Sequence, residues 1–204
     1  MELDELKSAW AQYDRKLSKS LELNVELLKK LNVDRSKSEL QKPLRAEATG
    51  VASMLLMTIW FMILTGRYID EPKYAIPGFI SIGVALVYFI FALIKLHKFM
   101  NIGYYGASIT EFQKDTAEAH RLVLKFRKYE LMLSPTILIS LPLIWKAVHH
   151  IDLYQDIQSF LITALVCFGI GFPATLWINK YLYDKKFQNV EKLLKEIEDY
   201  KLDK

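Results

Sequence analysis

Charge is distributed along this chain in blocks. Three stretches, 50–66, 74–94 and 157–178, contain no Asp, Glu, Lys or Arg, and a fourth, 131–148, contains only Lys146, near its end. They are 17, 21, 22 and 18 residues long, against the roughly 20 apolar residues a helix needs to cross a ~30 Å hydrocarbon layer. The 74–94 stretch carries twelve Leu, Ile, Val or Phe. These favour insertion by about 4–7 kcal/mol as an upper bound, and no charge at ~3 kcal/mol opposes them. One such run fits the core of a soluble domain. Four, each apolar around its whole circumference, leave no polar face for water to wet. The pattern predicts an all-α integral membrane protein with four transmembrane helices and helical extensions on one side.

Helix breakers refine the spans. The first is short and is expected over 43–66, with Pro43 in its first turn, where a missing N–H costs nothing, and with the Arg45 stem snorkelling at its entrance. The second and fourth are expected at 74–94 and 157–178. Pro135 and Pro142 predict a kink in the third, 131–148. Gly169, Gly171 and Pro173 in the fourth predict close helix contact or a bend, and Cys167 reads as a small apolar packing residue. The chain opens Met-Glu-Leu-Asp-Glu, without a basic region followed by an apolar core, so the spans themselves are expected to direct insertion.

Basic residues set the orientation. Segments 1–49, 95–130 and 179–204 hold 24 of the 27 Lys and Arg, the others being Arg67, Lys73 and Lys146. The positive-inside bias predicts that both termini are cytoplasmic. The connections 67–73 and 149–156 are too short to fold as domains, so recognition beyond the bilayer is expected on the cytoplasmic side. Whole-chain averages add little, since 52% hydrophobic and 25% charged describe no actual segment. A net charge of +4 is too mild to imply nucleic acid as a partner, and one Cys cannot build a disulfide scaffold.

The cytoplasmic segments are amphipathic. Leu3, Leu6, Trp10, Tyr13 and Leu17 recur at steps of 3 and 4, one helical face with two aromatic anchors. A second helix is expected to start at Asn24 as its cap and to include Val25, Leu27, Leu28 and Leu31. Residues 32–38 read as a polar turn, with Ser36 and Glu39 at capping-box spacing, completing a two-helix arm over 1–42. In the 95–130 connection, Ser108 and Glu111 form another capping pair. They open a helix striped by Ile109, Phe112, Ala119, Val123 and Phe126 that should run on to Pro135. In 179–204, Tyr183, Phe187, Val190, Leu194 and Ile197 repeat at 4, 3, 4, 3 as a continuation of the fourth span. These stripes suit an internal cytoplasmic bundle. The arm's face alternatively suits helix-in-groove binding of a cytoplasmic protein, and the C-terminal stripe suits self-association into a homo-oligomer. A membrane-surface role fits 1–13 poorly, since Lys7 is its one basic residue.

Catalytic chemistry is not visible. There is no Walker-type loop, no His-Glu-x-x-His and no paired Cys, so neither a cofactor nor a metal is expected, and the reading is non-enzymatic. His149 and His150 read as a polar cap after Trp145. The span centres carry no ionisable group, only residues such as Tyr88 and Ser140, which leaves a small oligomeric transporter of a neutral or amphipathic solute as the rival reading.

The pattern Glu5-Leu6-Lys7-x-x-Trp10-x-x-x-Asp14-x-Lys16-Leu17, followed by Asn24-x-x-Leu27-Leu28, resembles a set of bacterial inner-membrane proteins that pair a short cytoplasmic helical arm with a few spans. Some of these are encoded beside sigma factors of the extracytoplasmic-function group. The resemblance covers about a fifth of the chain. It implies a multi-pass inner-membrane location and an anti-sigma or tethering role, with Leu3, Leu6, Trp10, Tyr13 and Leu17 as the contacting face. The His-x-x-x-Cys-x-x-Cys zinc motif of well-defined anti-sigma domains is missing here.

Overall fold

A computed structural model describes residues 3–103, 109–155 and 157–202, with side chains described over 6–103, 109–155 and 157–197. Its first element is a single helix, α1 (Leu3–Arg67), 65 residues long and about 97 Å from end to end at 1.5 Å per residue. The expected turn at 32–38 is absent, and Asn24 lies in mid-helix rather than at a cap. The reason is tertiary. Asn32 and Ser36 belong to a buried edge that continues through Leu40, Pro43 and Glu47 at steps of 3 and 4, and Asn32 Nδ2 donates to the Leu193 carbonyl at 3.2 Å. Polar residues that resemble a turn are thus the side of a helix facing a neighbour. Pro43 also sits inside α1, buried, rather than in a first turn. One missing backbone hydrogen bond does not interrupt a helix held by packing on both sides of that point.

Helix α2 (Pro72–Met100) starts with Pro at its first turn and runs back antiparallel to α1. Gly78 allows the two to approach closely, because a Cβ there would collide with the Thr65 side chain. Helix α3 (Ile109–Leu133) gives way to a 3₁₀ turn at Ser134–Thr136, followed by α4 (Ile137–His149). The kink therefore falls at Pro135, whereas Pro142 is carried inside α4. His150 closes α4 in the left-handed region, φ 60°, donating its N–H to the Lys146 carbonyl at 3.1 Å. The proposed cap Ser108 lies outside the described residues.

Helix α5 (Ile157–Asn179) passes through a π-helical turn, Lys180–Asp184, directly into α6 (Lys185–Leu202). Among the described residues, four helices are long and apolar enough to cross a membrane. The four charge-poor stretches meet the basic segments near Glu47, Lys95, Glu130 and Tyr183, which contact one another, and the structure divides there. On the basic side, α1, the end of α2, α3 and α6 enclose a core that includes Leu40, Phe99, Phe112, Val123, Phe187, Val190 and Leu194. On the short-loop side, Phe61, Leu64, Tyr74, Ala85 and Leu143 form a smaller core of α1, α2 and α4. Lys73 Nζ pairs with Asp152 at 2.6 Å across the two connections there. Helix α5 contributes to neither core; none of its residues is buried.

Candidate functional site

Three features stand out, and they lie end to end along the molecule. The outermost is the free part of α1. Helices α1 and α6 run antiparallel in a register marked by Glu47 with Tyr183, Glu39 with Lys186 and Asn189, and Asn32 with Leu193. Trp10 stands 22 residues, about 33 Å, further out than Asn32. Leu6, Trp10, Tyr13 and Leu17 are 41, 71, 69 and 48% exposed, so the aromatic face is not absorbed by the bundle. The side chain of Leu3 lies outside the described residues. The C-terminal stripe has the opposite fate: Tyr183, Phe187, Val190, Leu194 and Ile197 are all buried in the basic-side core.

The second feature is a charge cluster at the basic-side ends of the charge-poor stretches. Lys95 Nζ lies 3.0 Å from Glu47 Oε1 and 2.8 Å from Glu130 Oε1. The Tyr183 hydroxyl donates to Glu47 Oε1, and the Tyr88 hydroxyl donates to the Glu130 backbone carbonyl at 2.7 Å. Side-chain exposures are 9% for Lys95, 3% for Glu47 and 22% for Glu130. One turn away, on the side of the basic segments, Arg127 grips Asp184 through two bonds of 3.0 and 2.7 Å. Sequence reasoning missed this cluster because Glu47, Lys95 and Glu130 each flank a different charge-poor stretch and each reads alone as an ordinary boundary charge. The available signal was that Glu47, Lys95 and Glu130 all occur within three residues of a basic-side end. The π turn completes the site by turning Tyr183 and Asp184 inward from a segment that has neither Gly nor Pro.

Outside the spans, titrating groups support the bundle. Lys186, 2.7 Å from Glu39, holds that carboxyl below the usual carboxylate range by hydrogen bonding, and Glu39 in turn raises Lys186. Burial pushes His120 down, its ring stacked on Phe187 at 4.4 Å.

The third feature is a cavity of about 370 Å³ between α5 and the other membrane helices. Met54, Phe61, Val84, Ile137, Phe168 and Phe172 are among its apolar walls, and Glu130, Ser134 and Asn179 lie at its basic-side end. Tyr88, Ser140 and Cys167 also line it. Ser140 is satisfied within its helix, donating to the Ile137 carbonyl at 2.6 Å. Cys167 faces this space instead of packing in a core, and Gly169 and Gly171 have no atom within 4 Å of where a Cβ would stand, so the expected close contact of the fourth span is not made within the chain. Among the described residues no group of three or more His, Cys, Asp or Glu is placed to hold a metal. His149 rests against Trp145, with ring centres 4.6 Å apart.

Fold and site together define a class: an all-helical chain with four membrane-length helices, a packed helical bundle on its basic side, and an arm that extends past that bundle. No protein family model, curated protein or solved structure matches the sequence.

Proposed function

We propose that this protein is a non-catalytic tether in the bacterial inner membrane, with both termini cytoplasmic, which binds a cytoplasmic protein through the exposed face of its N-terminal arm. The supporting observation is the unabsorbed stripe of Leu6, Trp10, Tyr13 and Leu17 on a helix that reaches beyond its own bundle. Large aromatic side chains spaced on one helical face are the anchors that helix-in-groove interfaces use. Continuity of α1 with the first span carries this face away from the bilayer, which disfavours a membrane-surface role for it. The resemblance at the N-terminus adds that the partner is a sigma-type transcription factor, the chain acting as its regulator.

The test is photo-crosslinking in native membranes from position 6 or 17, in the wild type and in a W10A/Y13A variant. The reading expects a cytoplasmic protein adduct that disappears in the variant while membrane insertion is unchanged. Adducts only with other copies of the chain, or adducts indifferent to both substitutions, would overturn it.

A second reading, a small oligomeric transporter of a neutral or amphipathic solute, has one observation in its favour: the cavity beside α5, which contains Tyr88 and Ser140. Uptake or efflux lost on changing those two side chains would select it over tethering.

A further inference from the structure

We propose that the cavity beside α5 is a binding site for an amphipathic monocation, an organic ammonium or phosphonium with an apolar body, whose charge is met by Glu130. The inference is independent of the arm and concerns binding alone.

Three observations converge. First, about 370 Å³ is the size of a small-molecule site, and such sites are mostly apolar with a few polar groups converging at one place. Here the one charged group, Glu130, sits with Ser134 and Asn179 at the basic-side end. Second, the one charged residue lining the cavity is a carboxylate. Two carboxylates, Glu47 and Glu130, share the single ammonium of Lys95, while Arg127 is committed to Asp184. Glu47 also accepts from Tyr183 and is almost fully enclosed, whereas Glu130 is 22% exposed and lines the cavity. The more open of the two carboxylates therefore belongs to the residue that borders the empty space, at a boundary where low polarity strengthens its attraction for a cation. Third, the walls suit a cation with an apolar body. Phe168 and Phe172 stack with ring centres 5.2 Å apart, offering π faces, and Met54 adapts to irregular shapes. An anion would meet Glu130 unfavourably, and a neutral body would gain no attraction from it.

The chain's single Cys is a built-in reporter, because Cys167 lines the cavity. The intact protein in phosphatidylcholine nanodiscs would be titrated with methyltriphenylphosphonium and assayed for saturable binding and for the rate of Cys167 alkylation by N-ethylmaleimide. The proposal expects one site per chain, at least severalfold protection of Cys167, and at least tenfold weaker binding in E130Q with binding kept in E130D. The same-shaped neutral 1,1,1-triphenylethane should compete at least tenfold less well, a comparison made on the wild type and so valid even where a variant fails to fold. Equal competition by the neutral compound, preference for the anionic methyltriphenylborate, or saturable binding without Cys167 protection would each overturn it.

Discussion

Helices α5 and α6 are two halves of one nearly continuous rod, yet they are treated oppositely by the rest of the molecule. Along α6 and the turn before it, Tyr183, Phe187, Val190, Leu194 and Ile197 are all buried against α1, α2 and α3. Along α5 nothing is buried, and Leu165, Ile170 and Trp177 are 76, 69 and 68% exposed. The solvent explains the contrast. In water an apolar stripe gains roughly 25 cal/mol per Å² on burial, so α6 must pack. In lipid the tails are as apolar as the side chains, so no comparable force drives α5 onto its neighbours. A helix held firmly at its base can therefore stand off within the membrane and leave a cavity beside it. The Glu47–Lys95–Glu130 cluster marks the level at which one regime gives way to the other.

The largest expected effect lies at that junction. Lys95→Met leaves two carboxylates in a nearly enclosed site with no cation between them, and a loss of about 3–5 kcal/mol is expected from breaking a buried pair on one side. Thermal unfolding in detergent checks this, and a triple change that also neutralises Glu47 and Glu130 should recover part of the loss. Next comes the contrast itself. Leu194→Ala should cost about 2–5 kcal/mol as a core truncation, while Leu165→Ala on α5 should stay within ~0.5 kcal/mol. Equal costs at the two positions would break the comparison. A third effect separates glycines: Gly78→Ala forces its methyl group against Thr65, with about 1–3 kcal/mol expected for overpacking, whereas Gly171→Ala meets open space and should be tolerated. The smallest effect concerns pH. Because the Glu39 carboxyl titrates below its ordinary value in the folded bundle, its stabilisation is present above the unfolded value and is lost as pH falls through the folded one. Hydrogen exchange in α6 should accelerate over that acidic range in the wild type, and less so in Lys186→Met.

Much of the fold was legible because it follows from composition along the chain. Four apolar helices, the break at Pro135 and the burial of the α6 stripe can be read from charge gaps, a breaker and a 3.6-residue period. The continuity of α1 could not be read that way. Asn32, Ser36 and Pro43 favour a turn or a start locally, and only α6 lying alongside makes them positions in a helix. The charge cluster was illegible for a related reason: Glu47, Lys95, Glu130 and Tyr183 come from four separate segments, and nothing local relates them. The stand-off of α5 is harder still, since Gly169 and Gly171 suit close packing in any membrane helix, and their exposure depends on which helices are near. The exposed face of Trp10 and Tyr13 was visible as a pattern, but whether the bundle would absorb it required the register of α1 against α6.

The division between a packed half and an open half is tested most directly by spin-label scanning of 157–197 in lipid, one Cys at a time with Cys167 replaced by Ser, reading collision with oxygen. The account predicts high accessibility at most positions from 161 to 178, lowered only on the cavity side, then a switch beyond the π turn to burial every three to four residues, with minima at 183, 187, 190, 194 and 197. The same deep periodic burial continuing through 161–178 would contradict it.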